Sequence, residues 1–113
     1  MIDLSEQKAF DSCRVNVFYK FVAEYRFFMK WQQDVQQVRI RIEEDPSGQF
    51  VFSQSHYIQT PLHRTPVVVP RAHDASAEGA LQRATETIVP YFEEAVARGF
   101  APSRGWFVLN EAY

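Results

Sequence analysis

The chain has 113 residues, 46% of them hydrophobic, with 12 basic and 14 acidic side chains and a formal net charge of −2. This length fits one domain with a modest core, and the apolar content excludes a disordered chain. The charge balance excludes a general polyanion binder, because phosphate contacts demand a basic excess on one face.

Ten Phe, five Tyr and two Trp make the apolar share unusually aromatic. Rings bury much surface each and favour partner interfaces. Cys13 is the single cysteine, which leaves no intrachain disulfide and no thiolate-built zinc cage, and it reads as a small core residue. No basic region precedes an apolar stretch at the start, and no apolar run nears the roughly 20 residues that cross a bilayer. The expected compartment is the cytoplasm, with no membrane association and no cofactor.

The first 45 residues hold neither Gly nor Pro, which favours one long helix over several strands and turns. Ser5 caps its start, and Phe10, Cys13, Val17, Phe21, Phe28, Trp31 and Val35 recur at helical steps on one face. Phe18, Val22, Tyr25 and Met29 widen that stripe beyond what one neighbour buries. The alternation of Val15, Val17, Tyr19 and Phe21 also suits a strand. A continuous helix from Ser5 to Asp34 would run roughly 45 Å, longer than a compact domain of this size is wide. Such a helix either breaks or projects toward a partner.

A hairpin follows. Val38, Ile40 and Ile42 alternate with Arg39, Arg41 and Glu43, the period of a half-buried strand. Asp45-Pro46-Ser47-Gly48 has the chemistry of a tight turn, and Phe50, Val51 and Phe52 open the return strand. Pairing across that turn sets Ile42 opposite Phe52, Ile40 opposite Gln54 and Val38 opposite His56, all facing the core. Arg39, Arg41, Glu43, Ser53 and Ser55 then share the solvent face. Pro61, Pro66 and Pro70 frame Val67, Val68 and Val69 as a loop with a short edge strand.

Ser76 caps the second helix, whose apolar positions run from Leu81 to Val96. Pro90 kinks it, and Gly99 with Pro102 ends it. Trp106-Phe107-Val108-Leu109 forms a last short strand or a plug on the sheet. The expected fold is therefore α+β: an antiparallel hairpin with a short third strand, packed between a long N-terminal helix and a C-terminal helix. The order is α-β-β-β-α, with the tail either a fourth strand or a plug.

Three surfaces are candidate sites. Phe18, Val22, Tyr25 and Met29 offer a self-association or partner stripe. Arg39, Arg41, Ser53 and Ser55 form a basic, hydroxyl-bearing sheet face able to hold an anion. Gln54 and His56 lie at the hairpin's far end, where His56 beside a cavity would serve as acid or base. Each has a plainer alternative: core packing, a solvated strand, and a histidine satisfied by a carbonyl. His63, His73 and Asp74 match no metal-ligand spacing and read as a polar loop. Glu86, Glu93 and Glu94 read as a solvated helix face.

The order helix, three strands, helix resembles a double-stranded-RNA-binding domain. That family has a lysine-rich start to its second helix, whereas this one begins Asp74-Ala75-Ser76-Ala77-Glu78, a departure that argues against RNA binding. Ser76-Ala77-Glu78-Gly79-Ala80-Leu81 after a hairpin resembles the HicB-like antitoxins over about half the chain. Neither resemblance is specific enough to assign a function. The leading expectation is a non-enzymatic module that binds a protein partner or itself. Anion or nucleic-acid binding through the hairpin and a small enzyme using His56 are the alternatives.

Overall fold

The computed structural model describes residues 19–70 and 72–113. It is α+β, built on a three-stranded antiparallel sheet, and its first described element is a strand rather than a helix. Strand β1 (Lys20–Trp31) pairs with β2 (Asp34–Glu44) from Lys20↔Glu44 to Trp31↔Asp34, with a register shift at Val22. This corrects the long N-terminal helix over its second half. The earlier helical positions, Cys13 and Phe18 included, lie outside the described residues.

The physical reason is visible in the alternation. Tyr25, Phe27, Met29 and Trp31 interleave with Glu24, Arg26, Phe28 and Lys30, and rings on every second position suit a pleated surface better than a helix. Cross-strand pairs Ala23↔Ile42, Tyr25↔Ile40 and Phe27↔Val38 place the first set on the core side. The reversal needs no Gly or Pro, because Gln32 itself takes φ 49°. Only that backbone strain marks the turn, which is why its composition hides it. With a strand in place of the helix, the described elements do not follow the order of the RNA-binding domain.

The second hairpin forms as expected from its turn. Asp45 Oδ1 accepts the Ser47 N–H at 2.9 Å and the Gln49 N–H at 3.0 Å, while Gly48 closes the turn at φ 86°. Strand β3 (Phe50–Gln54) then pairs with β2 through Ile42↔Phe52 and Ile40↔Gln54. The third expected pair, Val38 with His56, is absent. The chain bends at Ser55, and β4 (His56–Ile58) leaves the first sheet to pair with β5 (Phe107–Leu109) in a second one. The tail is thus a strand, whereas Val67–Val69 is not. Val67 donates a single backbone bond to Ile58 at 2.8 Å, and Val68 and Val69 are exposed.

The second helix comes in two segments. Helix α1 (Ala77–Glu86) starts on Ser76, whose hydroxyl accepts the Gly79 N–H, and stops at Thr87. Pro90 does not kink a continuing helix; it sits in the first turn of a new one, α2 (Val89–Ala97), where its missing N–H costs nothing. Gly99 at φ 94° ends α2.

Val38, Ile40 and Ile42 of β2 meet Ala80 and Ala84 of α1, and Ile88, Phe92 and Ala95 around α2, in one buried cluster. Trp31 and Phe107 stack at 5.8 Å, and Phe92 meets Trp106 edge-on at 5.5 Å. Trp31 thereby ties the tip of the β1–β2 hairpin to the helices and β5.

Candidate interaction surface

Sheet order β1-β2-β3 leaves β1 with a strand on one side only, among the described residues. It is also the longest described strand, at 12 residues. Along it Phe21 (58%), Phe28 (52%), Tyr25 (43%) and Val22 (39%) stay exposed, an apolar density that a lone surface ring does not reach. A long open edge of this kind presents main-chain donors and acceptors as a template for another strand.

The stripe expected from helical spacing is therefore redistributed. Val22 sits at the register shift, and Tyr25 is exposed on the core side of the sheet plane. Met29 packs against the core, and Phe18 lies outside the described residues. Phe28, Glu24 and Arg26 join the surface instead, all on the opposite face. The signal that could have found them is the alternation of Glu24 and Arg26 with Tyr25 and Phe27.

Some residues of the expected basic face do stand together. Arg26 stands directly opposite Arg39, Glu24 opposite Arg41, and Arg41 opposite Ser53. Arg41 Nη2 donates to the main-chain oxygen of Tyr113 at 2.7 Å, and its guanidinium lies 4.4 Å from the centre of that ring. Arg39 approaches the same ring at 5.2 Å and Glu24 at 3.8 Å. Burial first, then the Glu24 charge, raises the Tyr113 hydroxyl above its ordinary pKa. Tyr113 thus packs over Arg41, while Arg39 stays about half exposed beside it. Ser55 does not face solvent as expected: it is buried, its hydroxyl accepting the Arg39 N–H at 2.8 Å and lying 2.8 Å from His56 Nδ1. The inward bend at Ser55 removes it from the face.

Gln54 and His56 separate as well. Gln54 is buried and lines a cleft of about 170 Å³ with Phe52, Ser53, Tyr57, Val69 and Asn110, a set that does not include His56. Its side-chain amide nitrogen donates to the His56 carbonyl at 2.8 Å and to the Thr87 hydroxyl at 3.1 Å, and its main-chain carbonyl accepts from the Asn110 side chain at 2.9 Å. Burial and the neighbouring Arg39 charge lower the His56 pKa, keeping the ring neutral near pH 7. A neutral ring hydrogen-bonded to the Ser55 hydroxyl through Nδ1, with no carboxylate partner among its hydrogen bonds, has the geometry of a structural histidine.

The remaining polar candidates go to separate partners. His63 Nδ1 lies 2.9 Å from Thr60 Oγ1, His73 bonds Asp45, and Asp74 holds Arg83 at 3.1 Å. Among the described residues no three such side chains converge on a metal-sized space. None of their helices is long and apolar enough to cross a membrane. No known family, curated protein or solved structure matches the chain.

Proposed function

We propose that this chain is a non-enzymatic interaction module that binds a polypeptide, a protein partner or a second copy of itself, by adding a strand to the outer edge of β1 in the described sheet. The observation behind it is the 12-residue edge strand with its row of exposed apolar side chains. Main-chain hydrogen bonds along the edge supply affinity, and alternate side chains supply selectivity. Trp31 pins the far end of the strand into the aromatic cluster, so the edge is held extended before binding and little ordering entropy is lost on docking.

The test is site-specific photo-crosslinking in lysate of the cells that make the protein. A photoreactive residue at Tyr25 is compared with one at Glu93, on the exposed face of α2. The proposal expects defined polypeptide adducts from position 25 and none above background from position 93. Equal or absent adducts at the two positions would sink it. Anion binding is the weaker reading, because Tyr113 and Glu24 already engage Arg41 and Arg39. Acid–base chemistry is weaker still, because His56 stands apart from the cleft.

A further inference from the structure

We infer that the strand accepted by β1 is β1 of a second copy, antiparallel, about a two-fold axis through Tyr25; this rests on the reading of β1 as a docking edge. Arg26 is the side chain that calls for such a partner. Its cross-strand neighbour is Arg39, a like charge, and among the described residues Arg26 has no ion-pair partner. Like charges directly opposite one another destabilise a sheet, so this rung gains from a carboxylate on its open side.

A two-fold axis at Tyr25 supplies one. In antiparallel pairing, residues equidistant from the axis face each other, so Glu24 meets Arg26 of the second copy, and Arg26 meets Glu24 of the second copy. An isologous interface makes each such contact twice. On the core side, Tyr25 meets its own equivalent and Ala23 meets Phe27. At either end, exposed Phe28 comes opposite exposed Val22, where the shift in register bends the strand away and ends the pairing. One operation therefore pairs both opposite charges and covers three of the exposed apolar side chains. Moving the axis to Phe27 would set Arg26 against Phe28 and leave its charge unbalanced.

Sedimentation equilibrium on the full chain tests this with two variants, Glu24→Arg and Arg26→Glu. Each alone puts like charges at both contacts, whereas a mixture restores opposite charges at both. Wild type should self-associate with rising concentration, each variant about thirtyfold more weakly, with two pairs each changed by about 1 kcal/mol. An equimolar mixture should regain wild-type association. Wild type that stays monomeric, variants that associate like wild type, or a mixture that stays weak would each overturn the inference. Should either variant lose its circular dichroism, Tyr25→Cys in a Cys13→Ser background replaces it. An interchain disulfide on mild oxidation supports the axis, and its absence overturns it. A Tyr25 crosslink to a different polypeptide, with monomeric wild type, removes self-pairing and leaves the docking edge standing; neither crosslink nor association removes both.

Discussion

Thr87→Val should destabilise the fold through one orphaned amide proton. The Thr87 hydroxyl lies 2.7 Å from the Ala84 carbonyl and 3.1 Å from Gln54 Nε2, so it donates to the first and accepts from the second. Gln54 Nε2 spends its other proton on the His56 carbonyl. Gln54 and Thr87 are both about 95% buried, so valine leaves a buried amide N–H without its partner. A buried donor stranded in this way costs about 1–3 kcal/mol. With a urea slope of about 2 kcal/mol/M, the unfolding midpoint should fall by about 0.5–1.5 M. The assay is urea unfolding followed by the fluorescence of Trp31 and Trp106. The decisive comparison is the same substitution made in a Gln54→Met background, where no amide remains to be stranded. There Thr87→Val should cost at least about 1 kcal/mol less. Equal costs in the two backgrounds would refute the hydrogen-bond assignment and leave only the change in packing.

Other consequences follow from charge and backbone. The Ser47 hydroxyl, the Ser47 and Gln49 amides and His73 hold Asp45 at about 2, below its ordinary 3.8. A carboxylate depressed on folding stabilises above its unfolded value, so this contribution is complete above about pH 4 and lost as pH falls through 2. Nuclear magnetic resonance titration of Asp45 checks the value, and Asp45→Asn should flatten the acid limb of the stability profile. His56, lowered by burial and by Arg39, takes a proton more readily when unfolded, so stability should fall as pH drops below the ordinary 6.5. Chemical denaturation of His56→Gln across pH 7 to 5 should show that slope reduced. Gln32→Asn should raise stability by about 0.5 kcal/mol, because Asn tolerates the positive φ at 49° better than Gln does. Gly99→Ala should cost about 1–2 kcal/mol at φ 94°, from backbone strain alone, since no atom lies within 4 Å of the added methyl. Thermal melts of both variants measure these.

The second hairpin was legible because its turn depends on special residues: Asp45 and Gly48 each perform a job few others do, and the apolar alternation of Val38, Ile40 and Ile42 set the face. The first hairpin was hidden for the opposite reason. Its turn is Gln32-Gln33, without Gly, Pro, Asn or Asp, and Phe21, Phe28 and Trp31 happen to recur at steps that a helix also satisfies. Tertiary pairing with β2 decided between the two periods, and pairing with a distant strand is not encoded in local spacing. The bend at Ser55 was equally invisible, since β5 competes for His56 from more than fifty residues away. This is why Ser55 moved off the basic face and Val38 lost its expected partner. At the surface, Tyr25 and Val22 stand out in the sequence as apolar excess, but only the strand groups their neighbours Glu24, Arg26 and Phe28 with them.

Amide hydrogen exchange of the pure protein across a wide concentration range tests the self-pairing of β1 most directly. The account predicts that protection rises with concentration at Ala23–Phe27 and stays constant in β3 and α2. Protection that does not change in β1, or that rises instead around Val96 of α2 and Phe100 just beyond it, would contradict self-pairing.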